Sequence, residues 1–167
     1  MSLYDITIPA LTRGLTNLSA ILDKGAAHAT AKKIDPKVLA DLRVIGDMFP
    51  LKRQVQIACD TAKGAAARLA GVDIPKHEDT ESTIDELKAR IAKTVDFVQS
   101  VKRDQVDAGA KREIVLQFPN LTLKFSGQDY VTKFVLPNFY FHVAAAYVIL
   151  RKNGVEVGKG DYLGNIQ

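Results

Sequence analysis

The stretch Asn138-Phe-Tyr-Phe-His142-Val-Ala-Ala-Ala146-Tyr-Val-Ile149-Leu150-Arg151-Lys152-Asn153-Gly154 decides the fold. At about 100° per residue, Phe139, Ala146, Ile149 and Leu150 fall within roughly 80° of His142, the pattern of a helix with one apolar face. Arg151 and Lys152 occupy the last turn, where cations suit the carbonyl end of a helix, and Gly154 stops it. This is the longest aromatic-apolar tract of the chain, yet His142 interrupts it and it falls short of the roughly 18 apolar residues needed to span a bilayer. It predicts a core helix with an imidazole turned inward.

Upstream, the same helical region begins near Gln128, and Pro137 divides it, kinking or restarting the helix. Before that the period changes. Glu113 to Phe118 and Leu121 to Phe125 are β-rich and partly alternating, and Pro119-Asn120 between them predicts a hairpin. A further helix begins around Ser82, where Thr83 and Glu86 form a capping box and Ile84, Leu87, Ile91, Val95 and Val98 make a stripe. Another opens near Pro50 and ends at Gly71, with Leu51, Val55, Ala58, Cys59, Ala62, Ala66 and Leu69 on one arc. Ile57 points away from that arc, either a second contact surface or a lone exposed residue.

The first helix is expected from Asp5 to Ala29, with Pro9 in its opening turn and Ile8, Leu11, Leu15, Leu18 and Leu22 as its stripe. Asp35-Pro36 caps a short piece from Val38 to Leu42, and the Gly-rich tail from Val155 to Gln167 reads as an irregular strap. The expected architecture is all-α: one domain over residues 1–167, a four-helix bundle with a β-hairpin inserted before the last helix.

Composition agrees with one folded domain. A chain of 167 residues, 47% hydrophobic with 11 Gly and 6 Pro, is neither disordered nor collagen-like and can bury a core without staples. The net charge of +4 comes from scattered basic pairs such as Lys52-Arg53 and Lys102-Arg103, not from a polybasic run, so no nucleic-acid partner is expected. Cys59 stands alone, which excludes an intramolecular disulfide, and the start at Met1 shows no secretory pattern. A cytoplasmic protein without a membrane partner is expected.

Three histidines are candidates for chemistry. His28 reads as a polar helix-end residue and His77 as a solvated loop residue. His142 on the inward arc must find a hydrogen-bond partner, either as a core histidine or as a site residue. Asn138, one turn earlier on the same face, projects beside it, and Gln54 on the edge of the second long helix reaches the same layer. Amides are poor ligands for borderline-soft metals, so Gln54 and Asn138 are read as solvating His142 in a buried polar network. Gln56, Asp60 and Lys63 read as a solvated set opposite the core face, and Cys59 as inert packing. Tyr130, Phe134, Phe139, Tyr140 and Phe141 read as core aromatics. Gly158-Lys-Gly160-Asp-Tyr-Leu-Gly164 lacks the strand–loop–helix context of a phosphate loop.

The segment from His142 to Gly154 resembles the last helix of the DinB/YfiT-like superfamily of metalloenzyme bundles. There a His-x3-His pair is followed at fixed offsets by Leu, Arg and Gly, and Leu150, Arg151 and Gly154 keep those offsets from His142. Met48 to Asp60, Phe139 to His142, Asn153-Gly-Val155 and Gly158 to Gly164 are more closely similar to an uncharacterised bacterial family placed in that superfamily. The resemblance implies a DinB-like bundle, often a homodimer, with a pocket lined by the second and fourth long helices. In metal-binding relatives three histidines hold a divalent ion such as nickel or zinc. Here His142 matches the second histidine of the pair, Asn138 stands in place of the first and Gln54 in place of the helix-two ligand. The expectation is a degenerate metal site that binds a small ligand without a tightly held metal. The alternative is a small-metabolite enzyme (a thiol-dependent transferase, isomerase or hydrolase) using His142 as acid/base or metal ligand.

Overall fold

Residues that cap and punctuate the chain set the limits of its helices. The computed structural model describes residues 2–165; Met1, Ile166 and Gln167, at the ends of the expected domain and strap, lie outside the described residues. Helix α1 runs Leu3–Lys32, longer at both ends than the apolar stripe suggested. The Ser2 hydroxyl accepts the Asp5 amide at 3.1 Å and starts it early, and Lys33 in the left-handed region closes it. Pro9 consequently lies inside the helix rather than in its opening turn, and leaves the Asp5 carbonyl without its usual donor.

Asp35 caps the short α2, Pro36–Asp41, by accepting the Lys37 amide at 2.8 Å. Helix α3, Leu51–Ala70, ends at Gly71, whose φ of 73° suits a residue without a Cβ. Helix α4, Ile84–Ser100, opens on the expected box, in which Thr83 Oγ1 accepts the Glu86 amide at 3.3 Å and Glu86 accepts the Thr83 amide at 3.0 Å. A short α5, Arg103–Ala108, and a 3₁₀ turn at Gly109–Lys111 fill the connection for which the apolar period gives no signal. Strands β1, Glu113–Phe118, and β2, Leu121–Ser126, pair antiparallel from Glu113↔Ser126 to Phe118↔Leu121 around Pro119-Asn120. Ile114 and Leu116 turn one face of the hairpin into the core.

Helix α6, Gly127–Lys152, is continuous through Pro137. Tyr130–Val135 is wound as a π-helix, in which the Leu136 amide reaches back five residues to Val131 O. The wider turn carries the chain past the proline that a strict α-helix would lose a bond to. The tail is not an irregular strap throughout. Lys159–Leu163 form a short helix, α7, against α1, where Asn17 Nδ2 donates to Tyr162 O at 3.1 Å and Lys24 pairs with Asp161 at 2.7 Å.

The long helices close a ring in which α1 packs on α4, α4 on α3, α3 on α6 and α6 on α1. This is a four-helix bundle with a hairpin inserted before its last helix. By length and hydropathy α6 is a candidate membrane span, but Val131, Val135, Phe139, Ala146 and Ile149 are buried in the bundle core, so its apolar character is that of a central core helix.

Candidate functional site

Along the contact between α3 and α6 the two antiparallel helices exchange polar side chains at regular intervals. Gln54, Thr61 and Arg68 recur every seven residues, two turns, and so share one face of α3. Each meets a residue of α6. Gln54 Oε1 lies 2.7 Å from His142 Nδ1, Asn138 Nδ2 donates to Thr61 Oγ1 at 2.8 Å, and Arg68 donates to Tyr130 Oη at 3.2 Å. The imidazole and Gln54 are together; the amide of Asn138 turns to Thr61 instead of joining them.

The first pair has a defined proton. Gln54 Nε2 donates to Phe49 O at 3.1 Å, which fixes Oε1 toward the ring, so Nδ1 of His142 must be the protonated nitrogen and Nε2 the one with the lone pair. His142 is 8% exposed and Gln54 1%. Burial first, and then the nearby Arg53 charge, hold the imidazole below its ordinary pKa, so it is neutral at pH 7. Phe141 stands edge-on to the ring, with centroids 5.2 Å apart.

The open space adjoins the other two pairs. A groove of about 450 Å³ runs between α3, the hairpin and the π-wound part of α6, lined by Arg53, Ile57, Asp60, Thr61, Arg68, Leu116, Gln117, Phe118, Tyr130, Phe134 and Asn138. Ile57 is therefore a groove residue. Of the aromatic group, Phe139 and Tyr130 are core, Phe134 stacks on Tyr130 at 5.9 Å in the groove wall, and Phe141 is 57% exposed rather than core.

The opposite side of α3 departs from expectation. Gln56 and Lys63 are buried, not solvated, because the segment 72–83 folds back over them. Arg90 of α4 sits beneath with its side chain 1% exposed, pairing with Asp60 at 2.9 Å, Asp79 at 2.9 Å and Glu81 at 3.1 Å. Lys63 pairs with Asp60 at 2.9 Å, Arg53 pairs with Asp79, and Gln56 donates to Glu81 at 2.9 Å. Burial alone would raise the Glu81 carboxyl, but hydrogen bonds from Gln56, its own backbone and Arg90 outweigh it and hold the pKa below its ordinary value. His77 in the same segment is half-buried rather than solvated, its pKa lowered by desolvation and then by Lys63 and Arg90. Cys59 behaves as expected, fully buried with its thiol pushed up to about 12 by desolvation. His28 is half-buried near the end of α1.

Among the described residues no group of three or more His, Cys, Asp or Glu could hold a metal ion. Gln54, Asn138 and His142, the positions that the resemblance matches to metal ligands, present one imidazole nitrogen and two carboxamides, one of which already accepts the imidazole proton. Two carboxamides and one imidazole do not fit nickel or zinc, which are held by imidazole, thiolate and carboxylate.

The bundle as a whole has a counterpart. A crystal structure of a DinB family member protein from Shewanella denitrificans superimposes with a TM-score of 0.88 and 44% identity, over 98% of this chain and 93% of that one. No curated protein matches the chain. The family model described as a domain of unknown function, DUF1993, matches residues 3–163, which take in every element from α1 to α7 and all three polar pairs. The chain belongs to the DUF1993 family, a family of unknown function with a DinB-like fold.

Proposed function

We propose that this protein binds a small molecule at the α3–α6 seam and does so without a tightly held metal. The groove beside Asn138 carries the reading. It is of small-molecule size, walled by Ile57, Leu116, Phe118 and Phe134, and furnished with a few convergent polar groups from Thr61, Asn138, Arg68 and Tyr130. Gln54 and His142 sit behind it as the buried pair that fixes α3 against α6, and the Arg53 charge reaches both the groove and the imidazole. Cytoplasmic residence and a homodimer belong to the same proposal. Phe141 and Val148, exposed seven residues apart on α6, offer apolar surface for a second copy.

Screening a fragment library of anionic, neutral and cationic compounds by amide chemical-shift perturbation tests this. Shifts gathered at Thr61, Phe118, Phe134 and Asn138 are expected, and a groove silent to every compound would overturn the reading. Equilibrium dialysis against nickel or zinc should leave less than one ion per chain.

One observation favours a second reading, a small-metabolite enzyme. A neutral imidazole with a lone pair on Nε2 is a competent proton acceptor near pH 7. Stoichiometric metal retained by the intact protein and lost in His142→Gln would favour that enzyme.

A further inference from the structure

We propose that the groove is built for a small amphipathic carboxylate, its anionic end against Arg68 and the Tyr130 hydroxyl and its flat apolar body against Phe118 and Phe134. This rests on the reading of the seam as a ligand site and specifies its ligand class.

Arg68 is half-buried, and its guanidinium is placed rather than free to extend. A Cβ at Gly64, one turn earlier, would collide with Arg68 Nη1, so the glycine makes the space in which the side chain folds back along α3. There it donates to Tyr130 Oη at 3.2 Å and stands 6.0 Å from the centre of the tyrosine ring. An arginine carries five N–H donors, and among the described residues no carboxylate forms an ion pair with this one. Arg53 and Arg90, by contrast, have their charges matched by Asp79, Asp60 and Glu81.

The groove keeps Arg68 uncompensated. Asp60, the carboxylate that lines it, is held by Lys63 and Arg90, both at 2.9 Å. Tyr130 is 1% exposed and burial raises its pKa, so it stays a neutral phenol that accepts from Arg68 and keeps its own proton to donate. Two donors of this kind, charged and neutral, suit the two oxygens of a carboxylate. The apolar wall lies alongside. Phe134 stacks on Tyr130, Phe118 leans on Phe134 with centroids 6.5 Å apart, and Phe118 remains 46% exposed. A flat hydrocarbon body would cover that ring.

Cinnamate and its uncharged analogue cinnamamide separate the two halves of the claim. Titrated into the whole protein, cinnamate should shift the amides around Arg68, Phe118 and Tyr130 and bind at least about tenfold tighter than cinnamamide, the usual value of a charge-assisted contact. Arg68→Met should make the two bind alike. Phe118→Ala, at the half-open end of the hairpin face that Ile114 and Leu116 turn inward, should weaken cinnamate. Equal binding of acid and amide to the unaltered protein, a preference that survives Arg68→Met, or full affinity in Phe118→Ala would each overturn the proposal. So would a groove that answers neutral or cationic fragments but not cinnamate, a result that leaves the wider ligand reading standing.

Discussion

Helix α3 carries polar layers on two sides, and they are built on opposite principles. Toward α4 and the segment 72–83, Arg53, Lys63 and Arg90 meet Asp60, Asp79 and Glu81, so each charge has a counter-charge within reach. Toward α6, the pairs Gln54–His142 and Thr61–Asn138 are neutral, and Arg68 has only a phenol. The first layer is matched charge for charge, although Arg90 Nε and His77 Nδ1 are buried without a hydrogen-bond partner. Ions withdrawn from water must be matched in this way, and the matching leaves little for a ligand. The second layer keeps donors and acceptors in hand beside open space. Matched ions thus mark structure here, and the unmatched Arg68 cation beside open space marks the candidate site.

Removing Arg90 breaks the comparison most severely. Arg90→Met leaves Glu81 and the inner oxygen of Asp79 without their cation, while Asp60 keeps Lys63, and should cost about 3 kcal/mol, the low end of the range for breaking buried pairs because Asp60 and Asp79 still reach water. Urea unfolding measures it. A loss below about 1 kcal/mol would mean that the charged layer is no more than surface decoration. Next comes His142→Ala, which strands Gln54 Oε1 in the core and should cost about 1–3 kcal/mol by the same measurement. If stability were unchanged while the fragment-induced shifts disappeared, the Gln54–His142 pair would belong to the ligand site rather than behind it.

The smallest effect is that of pH. Because the folded protein holds His142 below the ordinary imidazole value of 6.5, the unfolded chain binds that proton first as pH falls. The contribution of His142 is therefore fully present above pH 6.5 and declines as the pH falls below it toward the folded value. His77, lowered in the same direction, adds a second such slope. Unfolding free energies collected between about pH 5 and 8 should show a shallower dependence in His142→Gln than in the unaltered protein. An identical dependence in the two would place the imidazole in solvent and remove the distinction between the layers.

Much of the scaffold was legible from local chemistry. Thr83 and Glu86, Gly71, Asp35-Pro36 and Pro119-Asn120 each mark a boundary that the structure keeps, because caps and tight turns are settled within a few residues. The inward direction of His142 and its partnership with Gln54 were legible too, since apolar neighbours at helical spacing fix which way a side chain points. The seven-residue recurrence of Gln54, Thr61 and Arg68 was also in plain view, but with a threonine and an arginine in the series it carries no apolar signal. The place of Pro9 inside α1 and the tail helix in what reads as a strap are decided by a single hydroxyl at Ser2 and a docking contact with Asn17, and neither leaves a periodic trace.

By itself the order of residues determined where α3 begins and ends, where α4 begins, which arc of each long helix is apolar, and that one imidazole faces the bundle axis. Only the tertiary structure decided which of the polar residues on α3 would be buried and with whom. Periodicity reports the angle of a side chain about its own helix. It does not report whether the segment 72–83 will fold over Lys63, whether Asn138 will turn to Thr61, or whether a hairpin will stand off from Arg68 far enough to leave a groove.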